Sequence, residues 1–321
     1  MKVFDMHCDT LTEMTRRLEQ DPSFSFDAND MHIDLAKLKQ GDYALQNFAV
    51  FTYLKDPENP MYHMLKNVDT FYNLMDQYEE LSPVTTYEEI VHNMKEGKIS
   101  CMLTIEEGAV LNHDLALLRD YYRLGVRMAA LSWNFPNGIT HPNFSEGDGY
   151  HTYDDVHGLT DFGKACVKEM ERLGMIIDVS HMSDRCFYDV YELTEKPFVA
   201  SHSNARAVTD HARNMSDDMI LKLASRGGVM GINYSSHFLN ESGQADVSDL
   251  VRHITYIRDL AGIDVIGLGS DFDGITSGGL PDASALPRLA KALRQAHFSD
   301  EDIEKIFYKN VLRVYKDVLK K

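Results

Sequence analysis

Eight short apolar runs of strand length, each separated from the next by a segment of helical period, constrain this chain more than any other feature. They are Val3 to Met6, Tyr43 to Phe51, Ser100 to Ile105, Arg127 to Trp133, Met175 to Ser180, Pro197 to Ser201, Gly228 to Asn233 and Val265 to Ser270. Alternating strands and helices argue for a parallel sheet joined by right-handed crossovers, and eight strands close such a sheet into a (β/α)8 TIM-like barrel. The expected fold class is therefore α/β, with residues 1–321 forming one barrel domain. A chain of this length does not require two domains, because barrels reach this size with loop insertions.

Helix signals fall between the strands. Thr160 is placed to cap a helix over Asp161 to Leu173, with Phe162, Ala165, Cys166, Met170 and Leu173 at three-and-four spacing and Gly174 as its stop. Ser216, followed by two acids, starts another that runs to the Gly227-Gly228 break. Ser299 with Asp302 opens a third, whose apolar stripe from Ile303 to Val318 suits packing against the barrel. The longest stretch without periodicity, 134–157, contains Gly147, Gly149 and four aromatic residues. It follows the fourth predicted strand and is expected to overhang the barrel mouth, where a lid would sit.

Several of the strand-like runs end in side chains that bind metals. His7 and Asp9 close the first run, and alternate residues of a strand point the same way, so one ion can take both. Glu106 closes the third, where a carboxylate at a barrel mouth needs a cation or several donors to offset its desolvation. Glu107 beside it reads as a solvated loop acid. Two consecutive runs then end in Ser-His, placing His181 and His202 at the same rim. Imidazoles and carboxylates suit zinc or a similar divalent ion. Asp178 reads either as a packing acid or as a partner that supports the ligands. At the end of the eighth run Asp271 is the candidate general acid and base, and Asp273 before Gly274 reads as a turn cap. His141, His151 and His157 in the long loop are further candidates for touching a substrate, whereas Cys8 is expected to turn into the packing.

Composition excludes some functions. A formal charge of −18 disfavours nucleic acid and anionic membrane surfaces as partners. Four cysteines without C-x-x-C spacing are too sparse for a disulfide framework in a chain this long, and they read as free buried thiols in a reducing compartment. With no apolar leader ahead of His7 and no apolar run of membrane-spanning length, the expected location is cytoplasmic.

The motifs together resemble the membrane dipeptidase (renal dipeptidase) family of metallopeptidases within the amidohydrolase superfamily. The resemblance spans almost the whole chain. It rests on Asp5-Met6-His7-Cys8-Asp9, Ile105-Glu106-Glu107-Gly108, Gly158-Leu159-Thr160 with Arg172-Leu173-Gly174, Ile177-Asp178-Val179-Ser180-His181, Ser201-His202-Ser203-Asn204-Ala205, Arg213-Asn214 and Gly269-Ser270-Asp271-Phe272-Asp273-Gly274. It implies that His7 and Asp9 hold one zinc ion, His181 and His202 a second, that Glu106 bridges them, and that Arg213 grips the carboxylate of a dipeptide. It implies a distorted (β/α)8 barrel and a homodimer. Two metals about 3.5 to 4 Å apart can share a water and bring its pKa toward about 7, which makes a hydroxide between them the expected nucleophile. Animal members carry a histidine after the fourth strand, where Trp133 stands here. An indole has one N–H donor and no titratable group, so Asn134 or a loop histidine is left to take that role. Animal members also carry a secretion signal and a lipid-anchor sequence; neither is expected here, in keeping with a protein expected to work inside the cell. The nearest alternative is hydrolysis of an N-acyl amino acid or a lactone on the same scaffold, and a non-catalytic binding protein is the alternative of a different class.

Overall fold

Strands buried on both faces read as nearly continuous apolar runs, and two such runs, Tyr43–Phe51 and Ile99–Glu106, form the longest strands of the protein. The computed structural model describes residues 1–56, 59–143 and 150–320. In chain order the strands are β1 (Val3–Asp5), β2 (Tyr43–Phe51), β3 (Leu81–Pro83), β4 (Ile99–Glu106), β5 (Val126–Ala130), β6 (Ile176–Asp178), β7 (Val199–Ala200), β8 (Val229–Ile232) and β9 (Ile266–Leu268). All the pairings between them are parallel, β1 meets β9 at Asp5↔Leu268, and β2 meets β4 from Leu45↔Ser100 to Phe51↔Glu106. Eight strands thus close into the expected barrel.

The extra strand is β3, which sequence patterning misses because three residues ending in Pro83 carry no period. It pairs with the first part of β4, from Leu81↔Ile99 to Pro83↔Cys101, while β5 pairs with the last part, from Leu103↔Val126 to Glu106↔Ala130. Strands β1 and β5 to β9 are shorter than the apolar runs that announce them, since the last residues of those runs leave the ladder to form the rim.

The helix signals hold. Thr160 accepts from the Gly163 N–H at 3.1 Å, and Gly174 ends the helix Asp161–Leu173 in the left-handed region at φ 79°. Ser216 caps Asp217–Ser225, and Ser299 forms a capping box with Asp302. The final apolar stripe is not one regular helix, however. A wide π turn at Lys305–Lys309 separates Asp300–Glu304 from Asn310–Val318. Asn310 just after it donates from Nδ2 to the carbonyls of Ile263 and Ile266, locking the turn against the start of β9. Val311, Val314, Tyr315 and Val318 then pack with strand-start residues Phe4, Ile176, Val199 and Val229, so the last helix closes the N-terminal end of the barrel.

The long 134–157 segment is stapled down along its described parts. Buried Asn143 donates to Asp184 Oδ1 (2.7 Å) and the Ala212 carbonyl, and it accepts from the N–H groups of Asp154 and Asp184. Gly147 and Gly149 lie outside the described residues. No described helix is long and apolar enough to cross a membrane.

His253 is a fully buried core histidine: Nδ1 accepts from the Ala205 N–H at 3.2 Å and Nε2 faces the Leu239 carbonyl at 3.1 Å. Both bonds fit only the neutral ring, and burial pushes its pKa down to about 4. Because the folded value lies below the unfolded 6.5, the stabilisation is present above about pH 6.5 and is lost as pH falls toward 4. Urea unfolding at about pH 7 and about pH 4.5 should show His253→Gln losing less stability on acidification than the parent, by up to about 3 kcal/mol.

Candidate metal centre

The side chains that end β1, β4, β6 and β7 meet at one point. Glu106 Oε1 lies 2.9 Å from His181 Nε2 and 3.4 Å from His202 Nε2, and its other oxygen lies 3.4 Å from His7 Nε2. His7 Nε2 is also 3.7 Å from Asp9 Oδ2 and 3.8 Å from Asp271 Oδ1, the carboxylate beyond β9. The ring of His7 stacks on that of His202 with centroids 3.8 Å apart. His7, Glu106 and His202 form one group with the spacing of metal ligands, and His7, Asp9 and Asp271 form another. The candidate metal ligands from the sequence and Asp271 therefore arrive at one rim, including residues 264 positions apart in the chain.

This donor set fits cations rather than itself. His181 Nδ1 sits 2.9 Å from Asn134 Oδ1, an acceptor, so the ring proton is there and Nε2 presents a lone pair. His202 Nδ1 sits 2.7 Å from Ser201 Oγ, whose own proton goes to Asp178 Oδ2, so His202 Nε2 also presents a lone pair. The two Nε2 atoms face each other at 2.9 Å with no proton between them, and both point at a carboxylate. Such an arrangement is repulsive until a positive ion occupies its focus. Buried His7 Nε2 and Asp9 Oδ1 have no hydrogen-bond partner among the described residues. Burial holds His181 and His202 well below the ordinary imidazole range, in the neutral form that ligates, and pushes Glu106 up to about 8.

Two aspartates on the strands shape the rim, and they do so alike. Asp178 Oδ1 accepts from the N–H groups of Ser180 and Ser201, joining β6 to β7 just below His181 and His202. Asp5 Oδ1 accepts from the N–H groups of His7 and Ser270, joining β1 to β9 just below His7 and Asp271. Asp178 is thus the supporting acid of the two sequence readings. Asn233, beyond β8, donates from Nδ2 to Asp271 Oδ2 at 2.9 Å, a contact no sequence pattern announces.

Some expectations are corrected. Glu107 is not a solvated loop acid: it is fully buried, at φ 90°, and accepts from the Ala109 N–H and from Asn137 Nδ2. Burial lifts its carboxyl to about 7. The chain turns so sharply after β4 that Glu107 folds beneath Gly108–Leu111 and ties the long loop to the strand. Asp273 does more than cap a turn, because it accepts from Thr10 Oγ1 and the His32 N–H, both at 2.6 Å. Asn134 spends its oxygen on His181. The loop histidines His141, His151 and His157 bond the Gly158 carbonyl, Asp210 and Asp154 and do not line the central cavity.

That cavity, about 450 Å³, is lined by Asp9, Glu106, His181, Asp271, Arg213 and Trp133, together with Phe51, His237 and Phe238, which sequence reading misses because apolar and lone polar residues on rim loops carry no signature. Arg213 is buried. Its Nη2 donates to the His202 carbonyl at 3.0 Å, its Nε has no partner, and among the described residues it makes no ion pair.

An eight-stranded parallel barrel with a carboxylate among imidazoles at the C-terminal ends of its strands is the architecture of a metal-dependent hydrolase. The chain belongs to the membrane dipeptidase family (peptidase family M19), a family of metallo-dipeptidases, whose profile matches residues 1–320. An uncharacterised dipeptidase of Schizosaccharomyces pombe is 34% identical over 98% of this chain and 80% of its own length. Dipeptidase 3 of Homo sapiens is 34% identical over 80% of this chain, and the match spans only about half, 52%, of that relative. A crystal structure of a metallopeptidase from Rhodobacter sphaeroides, bound to a phosphinate mimic of the dipeptide L-Ala-D-Ala, superposes with a TM-score of 0.89 at 25% identity, covering 99% of both chains.

The Asp178–Ser201–His202 chain of bonds fixes which nitrogen of His202 is free. Removing the hydroxyl with Ser201→Ala should weaken zinc binding about 10- to 100-fold in a competition titration while the circular dichroism spectrum is unchanged. Unaltered zinc affinity would remove this relay from the account.

Proposed function

We propose that the protein hydrolyses the peptide bond of dipeptides at a centre of two divalent ions, zinc by preference, held by His7 and Asp9 on one side and His181 and His202 on the other, with Glu106 shared between them. The observation that carries this reading is the disposition of Glu106, whose two oxygens face two separate sets of imidazoles. Ions bound there supply Lewis acidity, activating water and polarising a carbonyl.

The remaining work falls to the chain's own side chains. Asp271, within hydrogen-bond reach of Asn233 and facing His7, takes a proton from the attacking water and delivers it to the leaving amine, so that the C–N bond breaks to give a carboxylate and a neutral amine. Arg213, a buried guanidinium with no ion pair among the described residues, binds the substrate's terminal carboxylate. A carboxylate at that place sets the length of the substrate. The dipeptide mimic bound to the Rhodobacter relative supports a D-residue as acceptable in the second position.

Glu106→Gln should abolish dipeptide hydrolysis and lower the zinc content of the purified protein. Full activity with normal zinc refutes the shared-carboxylate role. Arg213→Ala should raise KM for dipeptides at least about tenfold with zinc content unchanged, since a charge-assisted pair is lost. Hydrolysis of L,L and L,D dipeptides beside N-acetylated amino acids, with and without chelator, tests the assignment itself: preferred turnover of the acetylated series would move it to an acylase.

A further inference from the structure

The cavity above the candidate metal centre carries Arg213 with Phe238 on one side and the aromatic pair Phe51 and Trp133 on the other. Around the barrel the strands follow one another as β1, β2, β4, β5, β6, β7, β8 and β9, which sets β2 opposite β7. Phe51, the last residue of β2, therefore faces the loop after β7 that carries Arg213, with the metal centre between them. Trp133 lies beside Phe51 with ring centroids 4.9 Å apart, and Tyr53 and Phe135 back it at 5.6 and 5.4 Å. Of these four rings, Phe51 and Trp133 line the cavity.

The polar groups near this wall are engaged elsewhere. Thr12 Oγ1 contacts the Ala49 carbonyl and accepts from the Phe51 N–H, and Glu13 is paired with Arg16 and Arg17. Lys55 stacks on Phe135 at 4.3 Å, and neither lines the cavity.

We propose that the Phe51–Trp133 wall receives the side chain of the substrate's first residue, and that the preferred substrates are dipeptides beginning with a bulky apolar or aromatic residue. The inference rests on the dipeptidase reading with Arg213 on the terminal carboxylate. With that end held beyond β7 and the scissile carbonyl over the centre, the first residue extends toward β2. A leucine or phenylalanine side chain there exchanges water for two aromatic faces. An acidic one loses its water against ring faces of negative potential, with Asp9 and Glu13 also lining the cavity and Arg213, on this reading, already taken by the terminal carboxylate.

Trp133 is the single tryptophan of the chain, so its emission reports on the wall directly. On zinc-loaded protein, a phosphinate mimic of Phe-Ala should shift that emission to shorter wavelength, and the mimic of Ala-Phe should leave it nearly unmoved. In turnover, kcat/KM for Phe-Ala and Leu-Ala should exceed that for Gly-Ala at least about tenfold, with Asp-Ala lowest. Trp133→Ala should compress the first-position series to within about threefold at unchanged zinc content, and Trp133→Phe should restore most of the spread. A flat series, one that favours aspartate, or a Trp133→Ala effect confined to the second position overturns the inference while leaving the dipeptidase reading intact. Failure to cleave any dipeptide overturns both.

Discussion

A buried carboxylate ringed by imidazole lone pairs is the constraint on which this structure turns. Glu106 is 2% exposed, its neighbours are His7, His181 and His202, and two of those rings have their protons committed to Asn134 and Ser201. Within the described chain that focus is offset by the Arg213 guanidinium and by a proton on His7, whose pKa is held down by burial but drawn well above the ordinary range by Glu106 and Asp9. Divalent ions do so far better. The rim also holds backbone that ordinary residues avoid: Glu107, His181 and Asp271 all have positive φ, at 90°, 67° and 62°. Each such residue costs of order 1 kcal/mol or more, and the surrounding bonds must hold it in place.

Those bonds come in a repeated form. Asp5 and Asp178 stand on strands of opposite sides of the barrel, and each gathers two backbone N–H groups from neighbouring strand ends. A strand that stops hydrogen-bonding at the rim leaves donors behind, and a carboxylate placed there satisfies them while fixing the register of the next two or three residues. The ligands follow at that distance, which is why their geometry is set by strands and not by loops.

Most of the barrel was legible because its strands are buried on both faces and therefore read as apolar runs, and because Thr160, Ser216 and Ser299 announce helix starts through their hydroxyls. What escaped had no local signature. Strand β3 has three residues, and the π turn at Lys305–Lys309 hides inside an apolar stripe that looks helical. The candidate metal ligands were visible because histidines and acids recur at the ends of several strand-like runs. Glu107 was misread because adjacency to Glu106 says nothing about which way a left-handed residue folds. Asn233, Phe51 and Phe238 became visible only when distant loops were brought to one cavity, since their chemistry is ordinary and their neighbours are remote in the chain.

The closing contact of the barrel joins its first strand to its last, at Asp5↔Leu268. His7 and Asp9, at the end of that first strand, are therefore made early in synthesis; β2 pairs with one edge of β1 soon afterwards, but the other edge waits more than two hundred residues for β9. Folding of this kind rewards late, long-range pairing and is slow for that reason. Until the final strand seats, the newborn chain carries its histidines and acids on an open edge, and the finished centre doubles as a certificate that the ring has shut.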